Sequence, residues 1–130
     1  MTFQVTALYA AIFTILVLVM ATIVTANRAR AKVSILHGDD MTLALWMRRH
    51  GNLIEHVPLI LILMALCEAR GLPVMWLHVG GIVVLVGRLT HIVGLNLTNP
   101  AAPLRITGGT LTHLPMLAAA IFLAWSSLAG

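Results

Sequence analysis

Arg48, Asn52 and Glu55 stand at i, i+4 and i+7 in the run Arg-Arg-His-Gly-Asn-Leu-Ile-Glu-His-Val-Pro, which closes on Pro58. On a helix those three side chains share one face. A cation, an amide and a carboxylate held together suit a small zwitterionic or anionic ligand. Arginine clamps carboxylates in bidentate fashion, a carboxylate holds an ammonium group, and an asparagine amide answers a peptide group from either end. His50 and His56 flank this face. Farther along, Arg88 and His91 share a face that Leu95 continues, and Arg105 follows a loop with two prolines.

The elements that position these groups are membrane helices. Of 130 residues, 60% are hydrophobic and 9% charged. A soluble domain of this size is about a quarter charged. The formal net charge of +4 invites a nucleic-acid reading. The cations, however, sit at the ends of apolar runs, as a topology signal does, so no nucleic-acid partner is expected. Four spans in a single membrane domain are expected, at about 5–27, 42–69, 73–97 and 105–128. Residues 1–27 carry no charged side chain, and the run lacks the basic start of a cleaved leader. Asp40 or Thr42 caps the second helix. Arg70-Gly71-Leu72-Pro73 makes a tight turn into the third. Pro58 and Pro115 free the carbonyls of Ile54 and Leu111 and kink their helices.

Four spans put both termini on one side. The first and third connections, with the adjoining helix ends, carry Arg28, Arg30, Lys32, Arg48, Arg49 and Arg105, whereas the opposite side has only Arg70. The positive-inside rule makes those connections cytoplasmic and the termini external. Trp46 anchors the inner boundary, and Trp76 and Trp125 the outer one. Cys67 is the only cysteine, which excludes a disulfide within the chain and reads as a small buried hydrophobe. Gly80, Gly87 and Gly94 recur every seven residues and predict a close helix seam, within the chain or between subunits. No metal-binding spacing appears. His78 and His113 read as packed histidines outside the inner group.

Polar groups inside a membrane are expensive and are usually kept for function. An Arg88–Glu55 ion pair between the second and third spans is the simplest way to satisfy both residues. Yet Arg28, Arg48, His50, Asn52, Glu55, His56, Arg88, His91 and Arg105 all fall in the inner half, more than one ion pair needs. That surplus points to a ligand.

In these residues the chain resembles the MAPEG family, membrane-associated proteins in eicosanoid and glutathione metabolism. The resemblance rests on Arg48-x-x-x-Asn52-x-x-Glu55-x-x-Pro58, on Gly87-Arg88-Leu89-Thr90-His91 and on Ala102-Pro103-Leu104-Arg105, in order along nearly the whole chain. It is nearest to small bacterial members. It implies an all-α integral membrane fold, a four-transmembrane-helix bundle assembled as a homotrimer in a bacterial inner membrane. Glutathione would be the co-substrate, held between subunits on the cytoplasmic side. By position, Arg28, Arg48, Asn52, Glu55 and His91, flanked by His50 and His56, correspond to ligand contacts, and Arg105 to the catalytic arginine that stabilises the thiolate. Arg88 joins the same cluster.

The activity so implied is glutathione transfer to apolar electrophiles from the bilayer, or reduction of lipid hydroperoxides. Leu95 stands where many catalytic members carry tyrosine, and Ile106 where the prostaglandin E synthase branch carries serine, so prostaglandin isomerisation is not expected. The alternative is a non-catalytic lipid-binding or scaffold member of the same fold. A small cation exporter would need an acid in the first span, which has none.

Overall fold

The computed structural model describes residues 2–129. Four helices follow in order: α1 (Gln4–Ala31), α2 (Met41–Ala69), α3 (Val74–Gly94) and α4 (Pro103–Leu128). Each is long and apolar enough to cross a membrane. The protein is an all-α four-helix membrane bundle. Helices satisfy their own backbone groups, which hydrocarbon demands.

The helix ends show where side chains override the apolar pattern. α1 runs on through Arg28 and Arg30, and stops where Lys32 turns left-handed at φ 55°. At the start of α2 the cap is Asp40, whose carboxylate accepts from the Leu43 N–H at 2.7 Å. Asp40 also pairs with Arg30 at 3.0 Å. The Leu43 hydrogen bond, and then Arg30, hold its carboxyl below the usual carboxylate range. α3 stops at Gly94, three residues short of the expected end. There Asn96 folds the chain back, accepting from the N–H groups of Thr98 and Asn99 at 3.1 and 2.7 Å. The Leu95 carbonyl beyond the end of α3 is answered by Arg49, which donates Nε and Nη2 at 3.2 and 2.8 Å. Arg49 in turn lies over the Trp46 ring, 4.7 Å from its centroid. α4 opens on Pro103, where the missing N–H is harmless. Pro58 and Pro115 sit inside α2 and α4 without breaking either helix.

The α2–α3 turn ties down the start of α1 and the end of α4. Glu68 accepts from the Val5 and Thr6 N–H groups at 3.0 and 2.9 Å and from the Thr6 hydroxyl at 2.6 Å. An anion thus meets the unpaired N–H groups that begin α1. Two residues on, Arg70 donates to the Ser126 carbonyl at 3.3 Å and the Ser127 hydroxyl at 3.2 Å, closing α4 with a cation. Glu68→Ala is expected to cost about 2–3 kcal/mol, since it strands two N–H groups and a hydroxyl. Glu68→Gln, which keeps an acceptor oxygen, is expected to lose less. Thermal unfolding in detergent measures both, and an unchanged Tm for Glu68→Ala would contradict the capping role.

Two close helix pairs make the bundle. α1 packs on α2 through Phe13, Met20, Leu53 and Ile60, all buried. α3 and α4 meet along glycines. A Cβ on Gly87 would stand 3.0 Å from the Gly108 carbonyl oxygen, and one on Gly94 would strike the Arg105 backbone nitrogen. Gly87 and Gly94 are therefore the seam, inside the chain. Gly80 departs from the expected heptad and faces open space, while its neighbour Gly81 receives the Tyr9 ring instead. A straight helix drifts roughly 20° per heptad, enough to turn the earlier glycine off a seam fixed by the later two.

Candidate functional site

The polar groups divide into a buried network and an exposed pair. Arg88 is 2% exposed. Its Nε donates to the Thr112 hydroxyl and its Nη1 to Asn52 Oδ1, each at 2.8 Å. Thr112, fully buried, donates its own proton to the Gly108 carbonyl at 2.8 Å. This network joins α2, α3 and α4. Glu55 does not reach Arg88, which corrects the expected ion pair. It pairs instead with Arg48, two turns back on its own helix, through both guanidinium nitrogens at 2.9 and 3.2 Å. Arg48 and Glu55 are about half exposed, at 56% and 52%. Asn52 sits beside them on the helix and turns its oxygen inward. Opposite charge alone pointed to Glu55, but the face that α2 presents to α3 carries Asn52.

The histidines divide as well. His56 donates through Nδ1 to the Asn52 carbonyl oxygen at 2.8 Å, and its Nε2 lies 3.3 Å from His113 Nε2. His113 therefore belongs to this region, against the expectation that it packs elsewhere. His91 is buried where α3 crosses α4, and a Cβ on Gly108 would strike its backbone nitrogen. His50 is half-buried and lies about 160° round α2 from Asn52 by the helical period, on another side. His78 meets the Tyr9 hydroxyl at the far end of the bundle, with Tyr9 donating to its carbonyl at 3.1 Å.

Two expected ligand residues are engaged with their own loops. Arg28 donates to the Leu36 carbonyl at 2.8 Å and lies 3.5 Å from Met47 Sδ. Arg105 donates to the Pro100 carbonyl at 3.1 Å. Within one chain, neither bonds to the Asn52–Arg88–Thr112 network.

An apolar cavity of about 480 Å³ opens between α2, α3 and α4 on the side of the network toward the termini. Met64, Cys67, Gly80 and Pro115 line it. Val84, one turn before Arg88, and Leu111, beside Thr112, line its end nearest the network. Cys67 is buried, as expected of a small hydrophobe.

Residues 6–125 match the MAPEG family. The chain belongs to the MAPEG family. Among curated proteins it is similar to the inner membrane protein YecN of Escherichia coli K12, 34% identical over 93 residues that span 72% of this chain and 71% of YecN. YecN of Escherichia coli O6:H1 matches with the same identity and coverage. No solved structure matches significantly. The family match, over residues 6–125, reaches into all four helices and spans Asn52, Arg88 and Thr112.

Two side chains of this arrangement, Thr112 and Arg49, were not marked by the sequence. Thr112 carried no signal beyond being a hydroxyl on a membrane helix. Arg49 counted only toward topology, yet it closes the end of α3.

Proposed function

We propose that this MAPEG protein binds glutathione on the Arg48–Asn52–Glu55 face and transfers it to apolar electrophiles dissolved in the bilayer. The supporting observation is the meeting of a polar network with the end of an apolar cavity, in a chain of this family. Glutathione offers two carboxylates, an ammonium and two amides, which Arg48, Glu55 and Asn52 complement. Arg28, His50, His56, Arg88 and His91 complete or support the site, and Arg105 acts on the thiol. In this reading Arg28 and Arg105, which bond to their own loops within one chain, reach glutathione from a neighbouring subunit of a homotrimer. The cation-rich connections face the cytoplasm, the termini face outward, and the membrane is the bacterial inner membrane named for YecN.

In the reaction, the glutathione thiol gives its proton to solvent and the thiolate attacks an electrophilic carbon. With an activated aryl halide, the C–S bond forms as the carbon–halogen bond breaks, and halide leaves. With a lipid hydroperoxide, the thiolate attacks the peroxide oxygen. The O–O bond breaks to the alcohol, and a second glutathione resolves the sulfenic acid to the disulfide and water. The thiolate is the reactive form of a group with a pKa near 8.5, and a neighbouring guanidinium lowers that value. Arg105→Ala is therefore expected to slow conjugation roughly ten-fold at pH 7, with the gap closing above about pH 9, where the thiol ionises unaided. Equal rates for wild type and Arg105→Ala at pH 7 would remove Arg105 from the chemistry.

A second reading is a lipid-binding scaffold. Leu95 favours it, since this buried side chain supplies no hydroxyl where catalytic relatives have tyrosine. Lipid binding without glutathione binding would select that reading.

A further inference from the structure

We propose that Thr112 and Arg88 are positioning residues that lock the Asn52 amide so that it offers only N–H donors to a ligand. The inference rests on the glutathione reading for its ligand, but the lock itself rests on geometry. A guanidinium has donors and no acceptor, so the amide group facing Arg88 Nη1 at 2.8 Å is the oxygen. The reverse orientation would set donor against donor inside a membrane bundle, where an unpaired polar group is costly.

Arg88 is held in turn. The single hydroxyl proton of Thr112 goes to the Gly108 carbonyl, which leaves its oxygen to accept from Arg88 Nε. The series Gly108, Thr112, Arg88, Asn52 therefore fixes which way the Asn52 amide points. The series ends with the two N–H bonds of half-buried Asn52. Those bonds select an acceptor oxygen, such as the carbonyl of a peptide unit or a carboxylate. They reject an ammonium, which has no acceptor, at the same place. Because Arg88 is buried and committed to both neighbours, it acts on the ligand through Asn52.

The test uses the full chain in detergent with glutathione as probe. Thr112→Val keeps the shape and removes the hydroxyl, while Thr112→Ser restores it. Thr112→Val is expected to weaken glutathione binding about ten-fold and to shift the Asn52 side-chain amide resonances in an NMR spectrum without ligand. Thr112→Ser is expected to restore both. Asn52→Asp keeps an acceptor for Arg88 but has no N–H, so it is expected to hold its Tm and lose glutathione affinity at least ten-fold. Unshifted Asn52 resonances in Thr112→Val would overturn the lock, even if wild type proves not to bind glutathione. Wild-type affinity in Asn52→Asp would overturn the donor role.

Discussion

Gly108→Ala is expected to cost about 3 kcal/mol, at the upper end of what overpacking produces. The added methyl would strike the His91 backbone nitrogen and stand 2.6 Å from the Gly87 carbonyl oxygen. Both are backbone atoms, so no rotamer change relieves the contact, and α3 must move away from α4. That movement would also pull Arg88 from Thr112, because Gly87 and Gly108 adjoin the network. Gly109→Ala is the control. Nothing lies within 4 Å of its Cβ position, so alanine should be neutral or add roughly 0.5–1 kcal/mol through helix propensity. Thermal unfolding of the two variants separates a seam from a loosely packed pair. Equal Tm values would mean that α3 and α4 do not meet here.

Asn52→Leu is expected to have two large effects. It removes the α2 acceptor of a buried guanidinium, which costs about 2–3 kcal/mol because the hydrogen bond is to a charged group. It should also weaken glutathione binding by more than ten-fold, since both amide donors go. Arg88→Met separates the effects. Losing the buried charge removes its desolvation cost, which offsets the hydrogen bonds lost to Asn52 and Thr112, so the fold should survive while the freed Asn52 amide loses its fixed orientation. A Tm for Asn52→Leu equal to wild type would contradict the network.

The four helices were legible because membrane spans are set by length and apolarity, which are local properties. Asp40 and the Arg70–Pro73 turn were legible because capping and turn chemistry are also local. Pairing across helices was not. Arg88 and Glu55 sit at similar depth with opposite charges, and depth can be read from sequence, but the facing of two helices cannot. Thr112 was hidden for a related reason. Thr22, Thr25, Thr90 and Thr110 all bond the carbonyl four residues back, as Thr112 does. Only burial against Arg88 makes Thr112 different. The His56–His113 approach likewise depends on the register between α2 and α4. Glu68 lies near the end of α2, and its role depends on where α1 begins beside it.

The site follows the same division. Arg48, Asn52 and Glu55 could be grouped from helical spacing on α2. That Asn52 turns inward while Arg48 and Glu55 pair outward could not, because it is α3 and α4 that supply the buried partner.

Whether the Asn52 face holds glutathione is decided by isothermal titration of glutathione into the purified protein in detergent, wild type beside Asn52→Leu. Saturable binding to wild type that Asn52→Leu loses is the expected result. Binding of a lipid with no glutathione binding at millimolar concentration would contradict it.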